Sequence, residues 1–255
     1  MIKLCTLSDL HIGDGTKSDD FTLDDDKVIK FLKQCIKDYD RVILNGDVFE
    51  CWQSQSWDAQ QNQLSRIFKA HPQLCAFIYS SILSKKMIYV SGNHDSVCRT
   101  KSLIPNVVKR YIETIPVGDG FSIKVLFEHG HAADIANDKL SWFGKFIAWG
   151  IGWLERKGWK DADEDLGRME KYIPGYRSDK NVFFKYANSL LKKGYDVVVF
   201  GHTHKQCVTT IIDTKPSKYY VNTGASMSSP FTFTEIIINP ATCTISIHQN
   251  DQVLI

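Results

Sequence analysis

The sequence predicts a mixed α/β fold in which two mixed β-sheets pack face to face between outer helices, a four-layer αββα sandwich. In the first part of the chain, apolar strand-like runs alternate with segments of helical periodicity. From residue 206 onward, strand-like runs follow one another with turn residues between them. The 255 residues, 43% hydrophobic and 24% charged, are enough to bury a sizeable core.

Five apolar runs predict strands, and a polar motif follows each of them. A helix is predicted over 25–38, where Val28, Leu32 and Cys35 belong to an apolar set at helical spacing. A second helix is predicted over 74–84. The strands are predicted at residues 2–8, 41–45, 87–91, 121–128 and 196–200.

The carboxy-terminal part of the chain has a different pattern. Lys-Pro, Gly and Asn-Pro separate its strand-like runs, and such residues are typical of turns between strands. This pattern predicts an antiparallel meander that closes the second sheet. The four runs are residues 206–213, 219–222, 231–238 and 243–248.

Composition excludes several classes of protein. The net charge of +2 gives no bulk electrostatic reason to expect a nucleic-acid partner. The seven cysteines form no CxxC pair, and an odd number cannot all be paired internally, so reduced thiols are expected. The first eight residues contain no apolar segment typical of a signal peptide. We therefore predict a cytoplasmic protein.

Five short polar blocks follow the predicted strands and contain six of the eight histidines. Aspartate, asparagine and neutral imidazole are ligands for hard or borderline divalent cations. Loops at the carboxyl ends of neighbouring strands converge, so these blocks are expected to lie together. The blocks are Asp9-Leu10-His11, Gly46-Asp47, Gly92-Asn93-His94-Asp95, His129-Gly130-His131 and Gly201-His202-Thr203-His204.

The blocks differ in how specific they are. Asp-x-His and Gly-Asp alone are common turns. Three polar side chains after a buried strand, as in Asn93-His94-Asp95, are costly unless they are partnered. His202 and His204 would project to one side if they lie on a strand. The joint occurrence of the blocks predicts two metal ions bridged by one carboxylate, an arrangement that clamps the attacking and leaving oxygens of a phosphorus displacement. The segment Asn222-Thr223-Gly224 can also be a plain turn.

These blocks, in this order from Asp9 to about Asn222, resemble the calcineurin-like metallophosphoesterase superfamily. The resemblance implies that Asp47 bridges two divalent metal ions, which in this family are commonly manganese, with iron, zinc, cobalt or nickel as alternatives. It implies that His94 acts near the substrate phosphate as general acid or charge stabiliser and is oriented by Asp95. The implied ligands are Asp9, His11, Asp47 and His204 for the first metal, and Asp47, Asn93, His129 and His202 for the second.

Within the superfamily, the chain is similar to the UDP-2,3-diacylglucosamine pyrophosphatases of lipid A biosynthesis. The likeness rests on residues 46–52 (Gly-Asp-Val-Phe-Glu-Cys-Trp), on His129-Gly130, on the turn at 222–224 and on a long insertion before Gly201. That branch usually has arginine at the position of His94. The resemblance implies a lipid-linked nucleotide diphosphate as substrate.

The insertion is predicted to be a helical lid over residues 133–190 within one metallophosphoesterase domain that spans 1–255. Its segment 142–154 is apolar, with Lys145 as its only charge, and at 13 residues it is too short to cross a bilayer. It can be a buried helix that packs on the body. It can also grip an acyl chain or make a peripheral contact with the inner face of the membrane. Residues 139–193 hold 12 Lys or Arg and 7 Asp or Glu, an excess that suits a phosphate-rich substrate.

The sequence therefore predicts a metal-dependent hydrolase of phosphoric ester or anhydride bonds, with a small-molecule phosphate ester or diphosphate as substrate, and the resemblance implies that this substrate is lipid-linked. A cyclic-nucleotide or other phosphodiesterase is the enzymatic alternative. A protein-binding scaffold without catalysis is the other alternative, although all the expected ligands are present. A polynucleotide substrate is not expected, because it needs a longer basic and aromatic track than the sequence offers.

Overall fold

The computed structural model describes residues 1–17, 19–53, 60–118, 120–133, 149–151, 153–154, 157, 180–212 and 217–252. Within these residues, strands β1 to β10 span Ile2–Leu7, Arg41–Asn45, Met87–Val90, Tyr111–Gly118, Phe121–Phe127, Val197–Phe200, Cys207–Ile212, Lys218–Asn222, Phe231–Asn239 and Thr244–Gln252. Helices α1 to α5 span Asp25–Asp38, Gln60–Ala70, Pro72–Leu83, Ser96–Thr100 and Lys180–Leu191.

The strands form two five-stranded mixed sheets. The order in the first sheet is β10-β9-β1-β2-β3, and the order in the second is β4-β5-β6-β8-β7. The strands β1, β2 and β3 are parallel, as are β5, β6 and β8, and the remaining strands are antiparallel to their neighbours. The predicted fold class is confirmed.

The layers follow from the alternation of side chains along buried strands. In β1, Leu4 faces the second sheet, while Cys5 and Leu7 belong to the core under the helices. The helices α1 and α3 pack on the first sheet, and α5 packs on β6 and β8 of the second. Because both faces of the central strands are covered, these strands are almost continuously apolar. The result is helix, sheet, sheet and helix in four layers.

The predicted meander at the carboxyl end is wrong. Strand β9 pairs antiparallel with β1 in the first sheet and carries β10 at its other edge. Strand β8 is parallel to β6 in the second sheet, with β7 antiparallel beside it. Alternation of apolar and polar residues identifies a strand and its buried face, but it does not identify the partner strand.

Asn45, the last residue of β2, joins the two sheets. Its side-chain N–H groups donate to the backbone carbonyls of Glu128 and Val199, each at 3.2 Å. Asn45 is fully buried, so these bonds are shielded from water. They hold the strand ends of the first sheet against those of the second, at the edge from which the polar blocks emerge.

The predicted lid stays a prediction, because most of residues 133–190 lie outside the described residues, including Trp142, Phe143 and Phe146. Helix α5 overlaps the end of the predicted range and packs on the second sheet. Trp153, in a helical segment, is 47% exposed. In the part of the chain that the structure describes, no helix is both long and apolar enough to cross a membrane.

Candidate metal centre

The five blocks lie together at one edge of the sandwich, and their backbone is unusual. Five of the seven predicted ligands have a left-handed backbone, with φ between 46° and 68°. Such a conformation costs on the order of 1–3 kcal/mol at a residue with a side chain, and it persists only where the surroundings hold it. Here the backbone N–H groups of Asp9 and His11 donate to the carbonyls of Gly46 and Asp47 at 3.0 and 2.9 Å. The left-handed residues are Asp9, His11, Asp47, His202 and His204.

The expectation that His202 and His204 lie on a strand is wrong. Strand β6 ends at Phe200, and residues 202–204 form a bend. The two histidines have φ angles of 68° and 56°. The residues at 9 and 11 repeat this pattern, with left-handed backbone two positions apart.

The structure brings six of the predicted ligands into two groups that could each hold a metal ion. In each group the ligand atoms all lie within 4.8 Å of one another. Asp9 Oδ1 lies 3.3 Å from His204 Nε2 in one group, and Asp47 Oδ2 lies 2.9 Å from His129 Nε2 in the other. Asp9 Oδ1 is also 3.9 Å from His129 Nε2, so the groups adjoin. The groups are Asp9, His11 and His204, and Asp47, His129 and His202.

Asp47 acts on both groups. Its carboxylate belongs to the group with His129 and His202, and its negative charge also helps to raise the pKa of His11 in the other group. Burial raises the pKa of Asp47, but His129, His94 and His11 outweigh burial and lower it. The carboxylate is therefore ionised at neutral pH and attracts positive charge on two sides, as a bridging ligand must.

His129 is held in one tautomer. Its Nδ1–H donates to the carbonyl oxygen of Asn45 at 3.0 Å, because a carbonyl can only accept. In the neutral ring Nε2 then has the lone pair that a metal ion needs, and it faces Asp47; a bound cation would take the place of the proton that the carboxylates otherwise favour there. Gly46 allows this approach, since its φ is 95° and a Cβ at that position would overlap the ring of His129.

The donor set fits divalent cations. Two buried ligand atoms, His11 Nε2 and Asn93 Oδ1, make no hydrogen bond among the described residues, and His129 Nε2 lies 2.9 Å from Asp47 Oδ2 without the geometry of a hydrogen bond. Buried polar atoms are normally paired, so each of these requires a partner of another kind. Burial lowers the pKa of His129, but the carboxylates of Asp47 and Asp9 outweigh it and raise the pKa to about 9. The cluster thus draws positive charge to the point where oxygen and imidazole ligands meet.

Glu50 is the functional residue that the sequence analysis missed. Its Oε2 accepts hydrogen bonds from Nδ1 of His11 at 2.9 Å and from Nδ1 of His94 at 2.6 Å. Its Oε1 accepts the backbone N–H groups of Trp52 and Gln53 at 2.8 and 3.1 Å. Burial raises the pKa of Glu50, but the two histidines lower it below its usual range.

The arrangement around Glu50 is a hydrogen-bonded relay, although His11, Glu50 and His94 could together hold a metal ion. The contacts from both rings have hydrogen-bond lengths, and they leave Nε2 of His11 to the group of Asp9. The sequence did contain a signal for Glu50. A carboxylate among the buried apolar residues Val48, Phe49 and Cys51 is costly unless it is partnered.

Glu50→Gln is expected to lower kcat about 10- to 100-fold, the usual effect of replacing a residue that orients a ligand. Glutamine keeps the size of the side chain, but one of its two polar atoms is a donor. That donor faces either the ring N–H groups of His11 and His94 or the backbone N–H of Trp52. Steady-state kinetics would show the loss. Glu113→Gln, on the edge strand β4, should leave the rate unchanged. Equal kcat values for the two variants would show that Glu50 does not contribute to catalysis.

Asp95 contacts the backbone around the site. Its carboxylate accepts the N–H groups of Val48 and Gly92, each at 2.7 Å, and the hydroxyl of Tyr89 at 2.5 Å. Burial and the charge of Asp47 raise its pKa to about 6. The ring of His94 is bonded to Glu50. Asp95 thus fixes the loop that carries His94, while Glu50 holds the ring, and the predicted orientation of His94 by Asp95 stays a prediction.

His131 and Asn93 complete the blocks. Asn93 is 5% exposed and lies between Gly92 and His94, whose backbone N–H donates to Asp47 Oδ1 at 2.8 Å. The ring of His131 is 5.7 Å from that of His129 and 6.5 Å from that of His202. Burial and the neighbouring His129 lower the pKa of His131 to about 3, so it is neutral. His131 belongs to neither group of ligands.

Several solved structures have a similar fold at low sequence identity. A dimetal phosphatase from Danio rerio is 10% identical, with a TM-score of 0.50 over 100% of this chain and 96% of that one. A phosphoesterase from E. coli is 14% identical, with a TM-score of 0.39 over 98% of both chains. Vacuolar Protein Sorting 29 from Cryptosporidium Parvum is 16% identical, with a TM-score of 0.42 over 99% of this chain and 98% of that one.

A comparison with curated proteins finds no match. The profile of the calcineurin-like phosphoesterases matches residues 2–206, which include all five blocks. Those blocks supply the two groups of ligands and the two histidines that are bonded to Glu50. The chain belongs to the calcineurin-like phosphoesterase family.

Proposed function

We propose that the protein hydrolyses phosphoric ester or anhydride bonds with two divalent metal ions. The observation that supports this best is the convergence of buried ligand atoms without hydrogen-bond partners on two buried carboxylates. When bound, two such cations stabilise the charge on the attacking and leaving oxygens of the phosphoryl group. The proposed ligands are Asp9, His11, Asp47 and His204 for one ion, and Asp47, Asn93, His129 and His202 for the other.

His94 is proposed to act on the substrate. Its side chain is 21% exposed, whereas that of His11 is 6% exposed and that of His129 is fully buried. Its ring stacks on Trp52 at a centroid distance of 4.2 Å and an interplanar angle of 17°. Because Nδ1 is bonded to Glu50, Nε2 is the nitrogen that can give or accept a proton. A ring fixed in this way can protonate a leaving oxygen or stabilise its charge.

The proposed metal is manganese, with iron, zinc, cobalt or nickel as alternatives. Carboxylate, amide and imidazole ligands bind all of these ions, so availability decides among them. Cysteine is absent from the ligand groups among the described residues. Cys51, which follows Glu50, is fully buried, and its contact with Cys98 and its burial raise its pKa well above the ordinary value. It is therefore a neutral thiol.

The proposed substrate is a lipid-linked nucleotide diphosphate of the UDP-2,3-diacylglucosamine kind. The segment 46–52, the basic excess in 139–193 and the apolar segment 142–154 support this choice. Trp153 adds an aromatic side chain that is 47% exposed. A cytoplasmic enzyme with such a surface could make a peripheral contact with the inner face of the membrane. A cyclic-nucleotide or other phosphodiesterase is the second candidate, and a compact substrate of that kind needs no apolar surface.

A panel of substrates tests this proposal. With added manganese, hydrolysis of UDP-2,3-diacylglucosamine is compared with hydrolysis of nucleotide diphosphates, cyclic nucleotides, phosphomonoesters and a small chromogenic phosphodiester. A lipid-linked preference should appear as the highest kcat/KM, because each buried methylene of an acyl chain contributes about 0.8 kcal/mol. A preference for cyclic nucleotides would select the second candidate. No hydrolysis of any of these compounds would favour a protein-binding scaffold.

Variants of the apolar segment separate lipid recognition from folding. Replacing Trp149 and Trp153 by glutamine should raise KM for the lipid-linked substrate and leave hydrolysis of the small phosphodiester unchanged. Phe121→Gln is the matched control, since Phe121 is a 74% exposed aromatic residue on the hairpin of β4 and β5. Equal losses on both substrates would mean that the segment is structural core, and the lipid-linked substrate would lose its main support.

A further inference from the structure

A chain of buried hydroxyl groups leads from the turn after β8 to the first block. Ser8, Asp9 and Thr223 are all fully buried. Ser8 Oγ lies 2.5 Å from Thr223 Oγ1 and 2.9 Å from the carbonyl of Gly224, and it is closest to Asp9 Oδ2. Thr223 is beyond residue 206, where the match to the family profile ends.

The protons of this chain can be assigned. A serine hydroxyl has one proton to donate. Asp9 Oδ2 and the carbonyl of Gly224 can only accept, and a carboxylate is a stronger acceptor than a carbonyl. The proton of Ser8 therefore goes to Asp9. Thr223 Oγ1 also lies 3.2 Å from the carbonyl oxygen of Phe200, but its contact with Ser8 Oγ is shorter at 2.5 Å. The hydroxyl of Thr223 is therefore the donor to Ser8.

The hydrogen bonds from these hydroxyl groups give the two carboxylate oxygens of Asp9 different surroundings. Oδ2 accepts the hydroxyl of Ser8 and the backbone N–H of His202, the latter at 3.0 Å. Oδ1 lies 3.2 Å from the nitrogen of the same N–H and otherwise faces imidazole nitrogens, at 3.3 Å from His204 Nε2 and 3.9 Å from Nε2 of both His11 and His129. One oxygen is thus held by donors, and the other is turned towards the proposed metal ligands.

The turn at 222–226 fixes the ends of this chain. Asn222 donates from its side chain to the carbonyl of Gly201 at 2.6 Å and accepts the N–H of Gly224 at 3.1 Å. The N–H of Ser226 lies 3.1 Å from the carbonyls of Ser8 and Asp9. Gly201 has no room for a side chain, since a Cβ would lie 2.5 Å from Ser8 Oγ and 2.6 Å from Asp9 Oδ2. The turn therefore holds the backbone around Asp9 and Gly201 in place, in addition to connecting two strands.

We infer that Ser8 and Thr223 are positioning residues that make Asp9 a ligand through Oδ1 alone. This inference rests on the metal centre of the proposed function. Without the hydroxyl of Ser8, Oδ2 keeps only the N–H of His202. Without the hydroxyl of Thr223, Ser8 loses the donor that fixes its orientation and can turn its proton to the carbonyl of Gly224. In either variant the carboxylate is held less firmly and can rotate away from His11 and His204. The affinity for the ion held by Asp9, His11 and His204 should then fall about 10- to 100-fold, as for other residues that orient a ligand. The ion held by Asp47, His129 and His202 should bind as before.

Isosteric variants test this inference. Thr223→Val removes the hydroxyl and keeps the shape, while Thr223→Ser keeps the hydroxyl and removes a methyl group. Ser8→Ala removes the other hydroxyl. Thr234→Val is the matched control, because Thr234 is fully buried on β9 and its hydroxyl has no hydrogen-bond partner among the described residues. Metal binding is measured with manganese by competition against a chelator and by electron paramagnetic resonance, without substrate.

The expected result is selective weakening of one ion in Thr223→Val and Ser8→Ala. Their resonance spectra should change from that of a coupled pair to that of an isolated ion, while Thr223→Ser and Thr234→Val resemble the wild type. Wild-type affinity for both ions in Thr223→Val and Ser8→Ala would overturn the inference. So would equal weakening of both ions together with a lower melting temperature of the metal-free protein. Failure of the wild-type protein to bind metal would instead contradict the proposed function.

Discussion

Asp47→Asn is expected to remove bound metal and nearly all turnover. Asparagine keeps the shape of the side chain and tolerates the left-handed backbone that Asp47 adopts at φ 51°, so the variant changes mainly the charge. The loss should exceed the effect of about 100-fold that is typical for residues that only orient a ligand. Metal content and kcat, measured on the same preparation, give the result.

The matched control for this variant is Asp24→Asn. Asp24 caps helix α1 by accepting the N–H of Lys27 at 3.1 Å, and asparagine caps a helix equally well. This variant should bind two ions and keep the wild-type rate. If Asp47→Asn also kept two ions and a near-native rate, the assignment of the metal centre would be wrong.

His94→Ala is expected to lower kcat on the order of 10²- to 10⁴-fold while both metal ions stay bound. His94 is bonded to Glu50 and stacked on Trp52, and it belongs to neither of the groups that contain Asp9 and Asp47. The loss should be smaller for a substrate with a good leaving group, because such a group needs less protonation. Kinetics with two leaving groups of different acidity test this.

Metal content decides between the possible roles of His94. A variant with two ions and a reduced rate agrees with a role on the phosphoryl group. A variant with one ion would move His94 into a ligand set with His11 and Glu50, which the structure also brings together. His94→Gln offers a second test, since glutamine fills part of the space over Trp52 but cannot act as an acid.

The placement of the blocks could be predicted because it depends on local patterns. Strands β1, β2, β3, β5 and β6 lie where apolar runs predict them, and the helix at 25–38 has its predicted bounds. Asp9 and Asp47 follow two neighbouring parallel strands, so the register of β1 and β2 brings them to one edge. Convergence at the carboxyl ends of parallel strands is a general property of such sheets.

The pairing of the later strands could not be predicted, because it depends on distant contacts. Ile236 and Ile238 of β9 look like residues of any half-buried strand, yet they pair with Leu4 and Ile2 at the start of the chain. The sequence analysis did not predict strand β4. Its residues, which begin at Tyr111 and include Thr114 and Pro116, form no continuous apolar run.

The details of the centre depend on contacts that no spacing reveals. Glu50 reaches two histidines, His11 and His94, that are 39 and 44 positions away. Ser8 meets Thr223 across 215 positions. The left-handed backbone of the ligands is also a product of the assembled loops, since aspartate and histidine adopt it only in a minority of positions.

The ligands are divided between the two layers of the sandwich. Asp9 and Asp47 follow strands of the first sheet, while His129 and His202 follow strands of the second. All seven cysteines are free thiols, so no disulfide joins the layers. A cation bound by residues of both layers would therefore be a reversible cross-link. Its binding free energy would add to the free energy of unfolding. The concentration of free metal would then change the free energy of unfolding, so the ions proposed for catalysis would also stabilise the fold.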